Sequence, residues 1–179
     1  MQPDLNQLIS ACKNFDRKAQ RQVVDLLAPF LSSVCRRYVR SQSDVQDQVQ
    51  EALILVFNHI EQFRGSDKEF MAWSRRIAIN VCLQKIRKKG ILFEAIGEHT
   101  DPQESPDIFS RMGVEEILKV LDALPESQRI VFNMNVLDGM THAEIGQELN
   151  IAVSHSRTLL TRARATLQDI LLKSISLNN

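Results

Sequence analysis

The sequence is poor in features that mark exported, membrane-spanning or zinc-stabilised proteins. Its 179 residues include three cysteines, Cys12, Cys35 and Cys82, which are odd in number and widely spaced. There is no CxxC pair and the histidines occur singly, so the ligand spacing of a structural zinc site is missing. The longest apolar run, residues 52–57, is far too short to cross a bilayer, and the first residues do not resemble a signal peptide. We expect buried, reduced thiols in a cytoplasmic protein.

Catalytic motifs are also absent from the sequence. It contains no glycine-rich phosphate loop, metalloprotease helix or nucleophile elbow. Asp44, Asp47 and Glu51 share one face of a predicted helix, but the matching histidines and second carboxylate helix of a bundle metal site are missing. We therefore expect no metal, no cofactor and no enzymatic activity. This carboxylate face is better suited to docking another protein.

Charge is balanced overall but uneven along the chain. The 22 basic residues equal the 22 acidic ones in number. Residues 64–89 nevertheless carry eight basic and two acidic residues, whereas residues 90–128 carry nine acidic and two basic ones. Such asymmetry indicates a surface that faces a polyanion and a separate, solvated acidic segment.

Helical periodicity dominates the hydrophobic pattern and predicts an all-α protein with two small domains. The first domain covers residues 1–90, a flexible acidic linker containing Pro102 and Pro106 covers residues 91–113, and the second domain covers residues 114–179. Helices are predicted in the first domain near residues 5–12, 17–27, 30–40, 44–62 and 68–89, with Pro29 separating the second from the third.

The last helix of the first domain interleaves basic and aromatic residues. This combination is typical of surfaces that hold single-stranded nucleic acid. Trp73 is suited to stacking on a base, although an aromatic residue at helical spacing is more often part of a core. The spacing predicts one packed side along this helix, made of Phe70, Trp73, Ile77 and Val81, with Gln84 as an optional last member.

The second domain has the outline of a helix-turn-helix motif. Predicted helices lie near residues 114–123, 125–137, 141–149 and 153–172, and Thr141-x-x-Glu144 is a capping box that opens the third. In a helix-turn-helix the longer second helix enters the DNA major groove. If Leu160, Ala163 and Leu167 face the core, the free side of the last helix carries Arg157, Thr158, Thr161 and Arg162. An ordinary solvated helix face is the alternative.

Several motifs together resemble those of extracytoplasmic-function sigma factors. Residues 44–51 (DVQDQVQE), 63–65 (FRG), 70–73 (FMAW) and 76–80 (RIAIN) are similar to region two of that family. Residues 124–129 (LPESQR), 137–141 (LDGMT) and 144–146 (EIG) are similar to the start of region four. The resemblance covers roughly residues 16–89 and 114–170.

The resemblance implies a non-enzymatic subunit that binds core RNA polymerase and directs it to promoter DNA. The polymerase would bind Asp44, Asp47, Gln50 and Glu51. The turn from Phe63 to Asp67, together with Asn80, would capture an unstacked base of the minus-ten element. The full set of minus-ten contacts would be Phe63, Arg64, Ser66, Trp73, Arg76, Ile77, Asn80, Arg87 and Lys88. The last helix would read the minus-thirty-five element through Arg157, Thr158, Thr161 and Arg162. Family habit also suggests an anti-sigma partner, although no residue here points to one.

Three residues depart from the family pattern. Gln84 stands where the family usually has Asp, Ser156 where a buried Val is common, and Leu159 where an Arg is frequent. Because a buried hydroxyl needs a partner, we expect Ser156 to weaken the packing of the recognition helix. We expect Leu159 to remove a phosphate or base contact, although its apolar end is able to meet a thymine methyl.

Two other functions remain open at this level. The chain would be an ordinary helix-turn-helix regulator if it bound duplex DNA as a dimer without polymerase, with residues 1–89 serving dimerisation or sensing. It would be an adaptor if it bound polymerase but did not support transcription.

Overall fold

A computed structural model describes residues 4–88, residue 90 and residues 119–177. The chain divides into two compact units, residues 1–89 and residues 90–179. Within the described ranges the regular secondary structure is helical and there is no strand, which confirms the all-α prediction. The predicted linker, residues 91–113, lies outside the described residues.

The first unit is built from helices that pack around one central helix. In its described part these are α1 (Leu5–Lys13), α2 (Arg17–Tyr38), α3 (Gln42–His59), a 3₁₀ helix (Ile60–Gln62) and α4 (Asp67–Lys88). Helix α2 packs against α1, α3 and α4. Its Asp16 cap accepts hydrogen bonds from the amides of Lys18 and Ala19, at 2.7 and 3.0 Å.

The predicted break at Pro29 is wrong, because α2 continues through it. Leu27 and Leu31 on either side of the proline are fully buried, whereas Pro29 itself is exposed. Proline cannot donate to the carbonyl of Asp25, but Asp25 also lies on the exposed side, where water can satisfy that carbonyl. Each buried leucine contributes about 1.5–3 kcal/mol, so two of them offset the roughly 3 kcal/mol cost of an interior proline.

The packed side of α4 is broader than the predicted stripe. Phe70 and Val81 are buried as expected, but Trp73 and Ile77 are only half-buried. Small side chains take part in the core instead, among them Ser74, Ala78 and Cys82. Helix α4 packs against both α2 and α3, and small residues allow two neighbours to approach closely. A single apolar stripe therefore describes this helix poorly.

The three cysteines are buried free thiols, as predicted. Burial, assisted by the charge of Asp16, raises the pKa of Cys12 to about 11. The thiols of Cys35 and Cys82 hydrogen-bond to each other, and this contact together with burial raises the pKa of Cys82 well above its ordinary value. Because the thiolate is the reactive form, neither Cys12 nor Cys82 is activated as a nucleophile.

The second unit is also helical over its described residues. Residues 119–122 are helical, followed by α5 (Glu126–Phe132), a π-helical segment (Asn133–Leu137), α6 (His142–Leu149) and α7 (Val153–Leu177). Helices α5 and α6 both pack against α7. Arg129 of α5 is 1% exposed, and its guanidinium lies 3.4 Å from Asp122 and 3.8 Å from Glu126. A buried cation requires such partners, so Arg129 fixes how α5 meets the preceding helical residues.

Candidate polymerase and nucleic-acid interfaces

The predicted polymerase-binding residues lie on the outer face of α3. Asp47, Gln50 and Glu51 are exposed, and the opposite side of the helix is buried through Val45, Gln48, Val49 and Ala52. Asp44 differs from the other three, because its carboxylate lies 3.2 Å from the Lys85 ammonium of α4. Asp44 thus links α3 to α4. Asp47, Gln50 and Glu51 form an exposed face with two carboxylates, which we call the docking face after its predicted role.

The turn after the 3₁₀ helix is anchored by a buried aromatic ring. Phe63 is 8% exposed, and its ring centroid lies 5.2 Å from that of Phe70 in an edge-to-face arrangement and 5.3 Å from that of Trp73. The Phe63 carbonyl accepts hydrogen bonds at 2.8 Å from both Lys13 and Arg64. The Phe63 ring thus packs inside the unit and holds the turn. In a DNA-binding surface, Phe63 would therefore support the residues that contact DNA.

The Glu69 carboxylate caps the other end of this turn. The Glu69 carboxylate accepts hydrogen bonds from the amide and the hydroxyl of Ser66, at 2.7 and 2.8 Å, which lowers the pKa of Glu69. The Ser66 hydroxyl therefore has a partner within the protein. A Cβ added at Gly65 would lie 3.0 Å from both the Glu69 carboxylate and the Phe63 ring, so glycine suits this tight turn. We call residues 63–66 the capture turn.

Six of the predicted minus-ten residues lie on α4. Arg76, Arg87 and Lys88 are exposed, and Trp73, Ile77 and Asn80 are half-buried. Positions 73, 76, 80, 84 and 87 follow each other at steps of three or four residues, so they share one helix face. Gln84 is exposed on that face. The Phe63–Trp73 contact places the capture turn beside the beginning of this face, so the structure brings the predicted residues of the turn and of α4 together.

The helix-turn-helix prediction agrees with the local geometry of α6 and α7. Thr141 and Glu144 form the predicted capping box, with the Thr141 hydroxyl 3.2 Å from the Glu144 amide. Helix α6 is followed by Asn150, its C-cap, which adopts a left-handed backbone with φ of 55°. A Cβ at Gly146 would lie 2.9 Å from the Ile151 carbonyl, so glycine is required for this close turn. Helix α7 then begins at Val153.

The predicted duplex-reading residues lie on the outer side of α7. Arg157 is exposed, and Thr158, Thr161 and Arg162 are half-buried. The two threonine hydroxyls donate to carbonyls of their own helix, at 3.1 Å for Thr158 and 3.0 Å for Thr161. The threonine hydroxyls are thus engaged within α7, and the two arginines supply positive charge on this side of the helix.

The structure removes the reason for the expectation about Ser156 and contradicts the thymine contact of Leu159. Ser156 is fully buried, but its hydroxyl lies 2.9 Å from Nδ1 of His142 in α6, so the hydroxyl does have the partner that it needs. Leu159 is 1% exposed and belongs to the core beside Leu160, so it is not able to meet a thymine methyl. Burial, followed by the charges of Arg157 and Arg164, lowers the pKa of His142.

Comparison with known families decides the identity. The family described as Sigma-70 region 2 matches residues 23–91, and the family described as Sigma-70, region 4 matches residues 114–167. Together these matches cover more than half of the chain, and apart from the last two residues of the first match each falls within one unit. The chain belongs to the sigma-70 family.

Individual relatives agree with the extracytoplasmic-function (ECF) group in particular. The ECF RNA polymerase sigma factor SigE of Mycolicibacterium smegmatis is 32% identical over 144 residues, covering 76% of this chain and 55% of that protein. The ECF RNA polymerase sigma-E factor of Escherichia coli is 27% identical over 176 residues, covering 90% of this chain and 91% of that protein. The resemblance seen in the motifs is thereby confirmed.

Solved structures show the same fold. CnrH in complex with the cytosolic domain of CnrY aligns over 94% of this chain with a TM-score of 0.50 and 19% identity. The sigma factor RpoE in complex with the anti-sigma factor NepR from Bartonella quintana aligns over 84% of this chain with a TM-score of 0.51 and 22% identity. Among the described residues of this sigma factor, no helix is long and apolar enough to span a membrane, and no cluster of three metal-binding side chains occurs.

Sequence reasoning missed two residues that shape these interfaces. Lys13 reaches the Phe63 carbonyl across 50 positions of sequence, and His142 reaches Ser156 across 14. Neither contact has a local sequence signal, since no periodicity relates the partners. In the sequence alone, a lysine in the last turn of a short helix indicates only a favourable interaction with the helix dipole.

Proposed function

We propose that this sigma factor binds core RNA polymerase and directs it to promoters, acting in the cytoplasm as a non-enzymatic subunit. The observation that carries this proposal is the presence of both sigma-70 regions in order, each in its own compact helical unit. We assign the separate functions that such a subunit needs to surfaces of the two units.

The docking face of α3 is proposed to bind polymerase. Asp47 and Glu51 present two exposed carboxylates one helical turn apart, with Gln50 beside them. Such a face suits a basic partner surface, because complementary charge guides association and fixes orientation. Asp44 would contribute indirectly, through the ion pair that joins α3 to α4.

The capture turn and α4 are proposed to open the minus-ten element and hold its displaced strand. Exposed Arg76, Arg87 and Lys88 provide positive charge for the phosphates. Asn80 lies half-buried on the same face, and an amide can both donate to and accept from the edge of an extruded base. Trp73 has part of its ring accessible for stacking.

Helix α7 is proposed to read the minus-thirty-five element in duplex form. The buried residues Leu159, Leu160 and Ala163 fix one side of the helix. Arg157 and Arg162 lie on the other side, where arginine is able to pair with guanine edges or phosphates in a major groove.

An anti-sigma factor is proposed as a further partner. Of the two solved neighbours, RpoE is in complex with the anti-sigma factor NepR and CnrH is in complex with the cytosolic domain of CnrY. If such a partner covers the docking face of α3, it will compete with polymerase. Addition of excess core polymerase would then release it, and a partner that stays bound to the holoenzyme would contradict competition.

Reconstituted transcription tests the function as a whole. Core polymerase is incubated with this protein and fragments of its own genome, and start sites are mapped with and without the protein. We expect start sites that depend on the protein and share two upstream elements. Specific duplex binding without polymerase would favour a dimeric regulator, and polymerase binding without transcripts would favour an adaptor.

A further inference from the structure

Helix α1 is tied to the capture turn at a defined atom. The Lys13 ammonium, in the last turn of α1, donates a 2.8 Å hydrogen bond to the carbonyl of Phe63 in a partly buried position. The second donor to that carbonyl is Arg64, which belongs to the turn itself and is exposed. Of these two donors, Lys13 connects the turn to a distant part of the chain.

Other contacts show that α1 lies along this segment. Helix α1 packs against the 3₁₀ helix that leads into the turn. Burial, followed by the charge of Asp4 immediately before α1, raises the pKa of Asp67, the first residue of α4. Helix α1 therefore runs past both ends of the capture turn, although it precedes residues 23–91 that match region 2.

The contact lies next to the exposed part of the turn. The Phe63 ring is fixed by Phe70 and Trp73, and Ser66 is fixed by Glu69, but residues 64 and 65 between them are exposed. A carbonyl held by an ammonium at 2.8 Å fixes the direction in which the next peptide leaves Phe63. Preorganisation of this kind lowers the entropic cost of binding a flexible strand.

We propose that Lys13 is a positioning residue for promoter opening, holding the capture turn in the shape that receives an unstacked base. This proposal rests on the function proposed above for the turn. It assigns a role to a helix upstream of the region 2 match, and Lys13 acts through the Phe63 carbonyl without contacting DNA.

The test compares Lys13→Met with Lys13→Arg and with Lys18→Met in holoenzyme. Methionine keeps the length of the side chain and removes the donor, while arginine keeps a donor. Lys18 is an exposed lysine near the start of α2, so its substitution matches the loss of one charge. We expect Lys13→Met to reduce open-complex formation, followed by permanganate reactivity of unpaired thymines, about three- to tenfold, because a charged hydrogen bond is lost. Polymerase affinity should stay within twofold of wild type, and both control variants should open promoters normally.

Templates with a single abasic site separate positioning from other roles. Wild type should lose affinity when the captured base is absent, and on that template Lys13→Met should match wild type. The proposal would be overturned if the defect of Lys13→Met persisted on every abasic template. It would also be overturned if the variant reduced the slope of log affinity against log salt concentration by about one, as the loss of a phosphate contact does. The proposal would also be overturned if Lys13→Met lowered thermal stability and polymerase affinity as much as it lowered promoter opening, because Lys13 would then have only a structural role. If wild type itself gave no promoter-dependent transcripts, the proposed function would fail, whatever the variants did.

Discussion

Substitutions at Phe15 measure the backbone strain in the turn between α1 and α2. Phe15 adopts a left-handed backbone, with φ of 59°, and its side chain is 74% exposed. This conformation costs an L-residue roughly 1–2 kcal/mol. Glycine avoids that cost but loses about 0.4–1 kcal/mol through greater freedom of the unfolded chain. Phe15→Gly should therefore be more stable than Phe15→Ala by about 0.5–1 kcal/mol, since both variants lose the same ring.

Urea unfolding of the two variants, followed by helical circular dichroism, provides the measurement. At an unchanged slope the midpoint reports stability directly. Thermal midpoints should differ by about 2–8 °C, as expected for a cooperative unit of this size. Arg21 provides the matched control, because it is exposed inside α2. There the order should reverse, with glycine less stable than alanine by about 1 kcal/mol. If Phe15→Ala is as stable as Phe15→Gly or more so, the left-handed turn is refuted.

Other predictions concern the interfaces and the pH response. Asp47→Ala combined with Glu51→Ala should weaken core-polymerase binding, most strongly at low salt, and leave the helical content unchanged; an unchanged affinity at low and moderate salt would contradict the docking face. Asn80→Ala should lower the yield of open complex more than polymerase affinity, and equal open-complex yields would count against base capture. If Arg157 reads guanine, Arg157→Ala should cost about 1–3 kcal/mol of binding free energy at one base pair; if it meets phosphate, the variant should weaken binding to all promoters uniformly. A panel of single-base promoter variants distinguishes the two, and unchanged binding to every promoter would exclude α7 as the DNA-reading helix. Because the pKa of His142 is lowered in the folded state, the unfolded state binds a proton at a higher pH than the folded state does. The free energy of unfolding is therefore at its full value above the ordinary pKa of 6.5 and decreases as pH falls below it. His142→Gln should reduce the fall in urea midpoint between pH 7.5 and 5.5, and an unreduced fall would refute the assignment.

Much of the architecture follows from local pattern. The all-α fold, the capping box at Thr141 and the turn before α7 depend on residues within one or two helical turns of each other, so their signals are visible in the sequence. The prediction of a helix break at Pro29 was wrong because the exposure of a proline depends on the packing of its whole helix. The prediction that Leu159 could meet a thymine methyl was wrong for a related reason. Helix α7 packs against both α5 and α6, and this packing buries two adjacent positions.

The interfaces were predictable to a different extent. The faces of α3 and α7 follow from helical spacing and from the resemblance, and their residues lie at the surface as that spacing implies. The capture turn was recognised as a motif, but the burial of Phe63 and the contact from Lys13 are tertiary. Propensity and periodicity contain no information on pairs so far apart in sequence.

The hydrogen bond between His142 and Ser156 has a consequence for how relatives of this protein diverge. A serine at position 156 is tolerated because a histidine at position 142 satisfies its buried hydroxyl. Loss of the histidine alone would leave that hydroxyl unsatisfied, and replacement of the serine alone by valine would leave an imidazole facing a methyl group. The two positions should therefore change together, so that aligned relatives show covariation between 142 and 156 even though neither residue touches DNA.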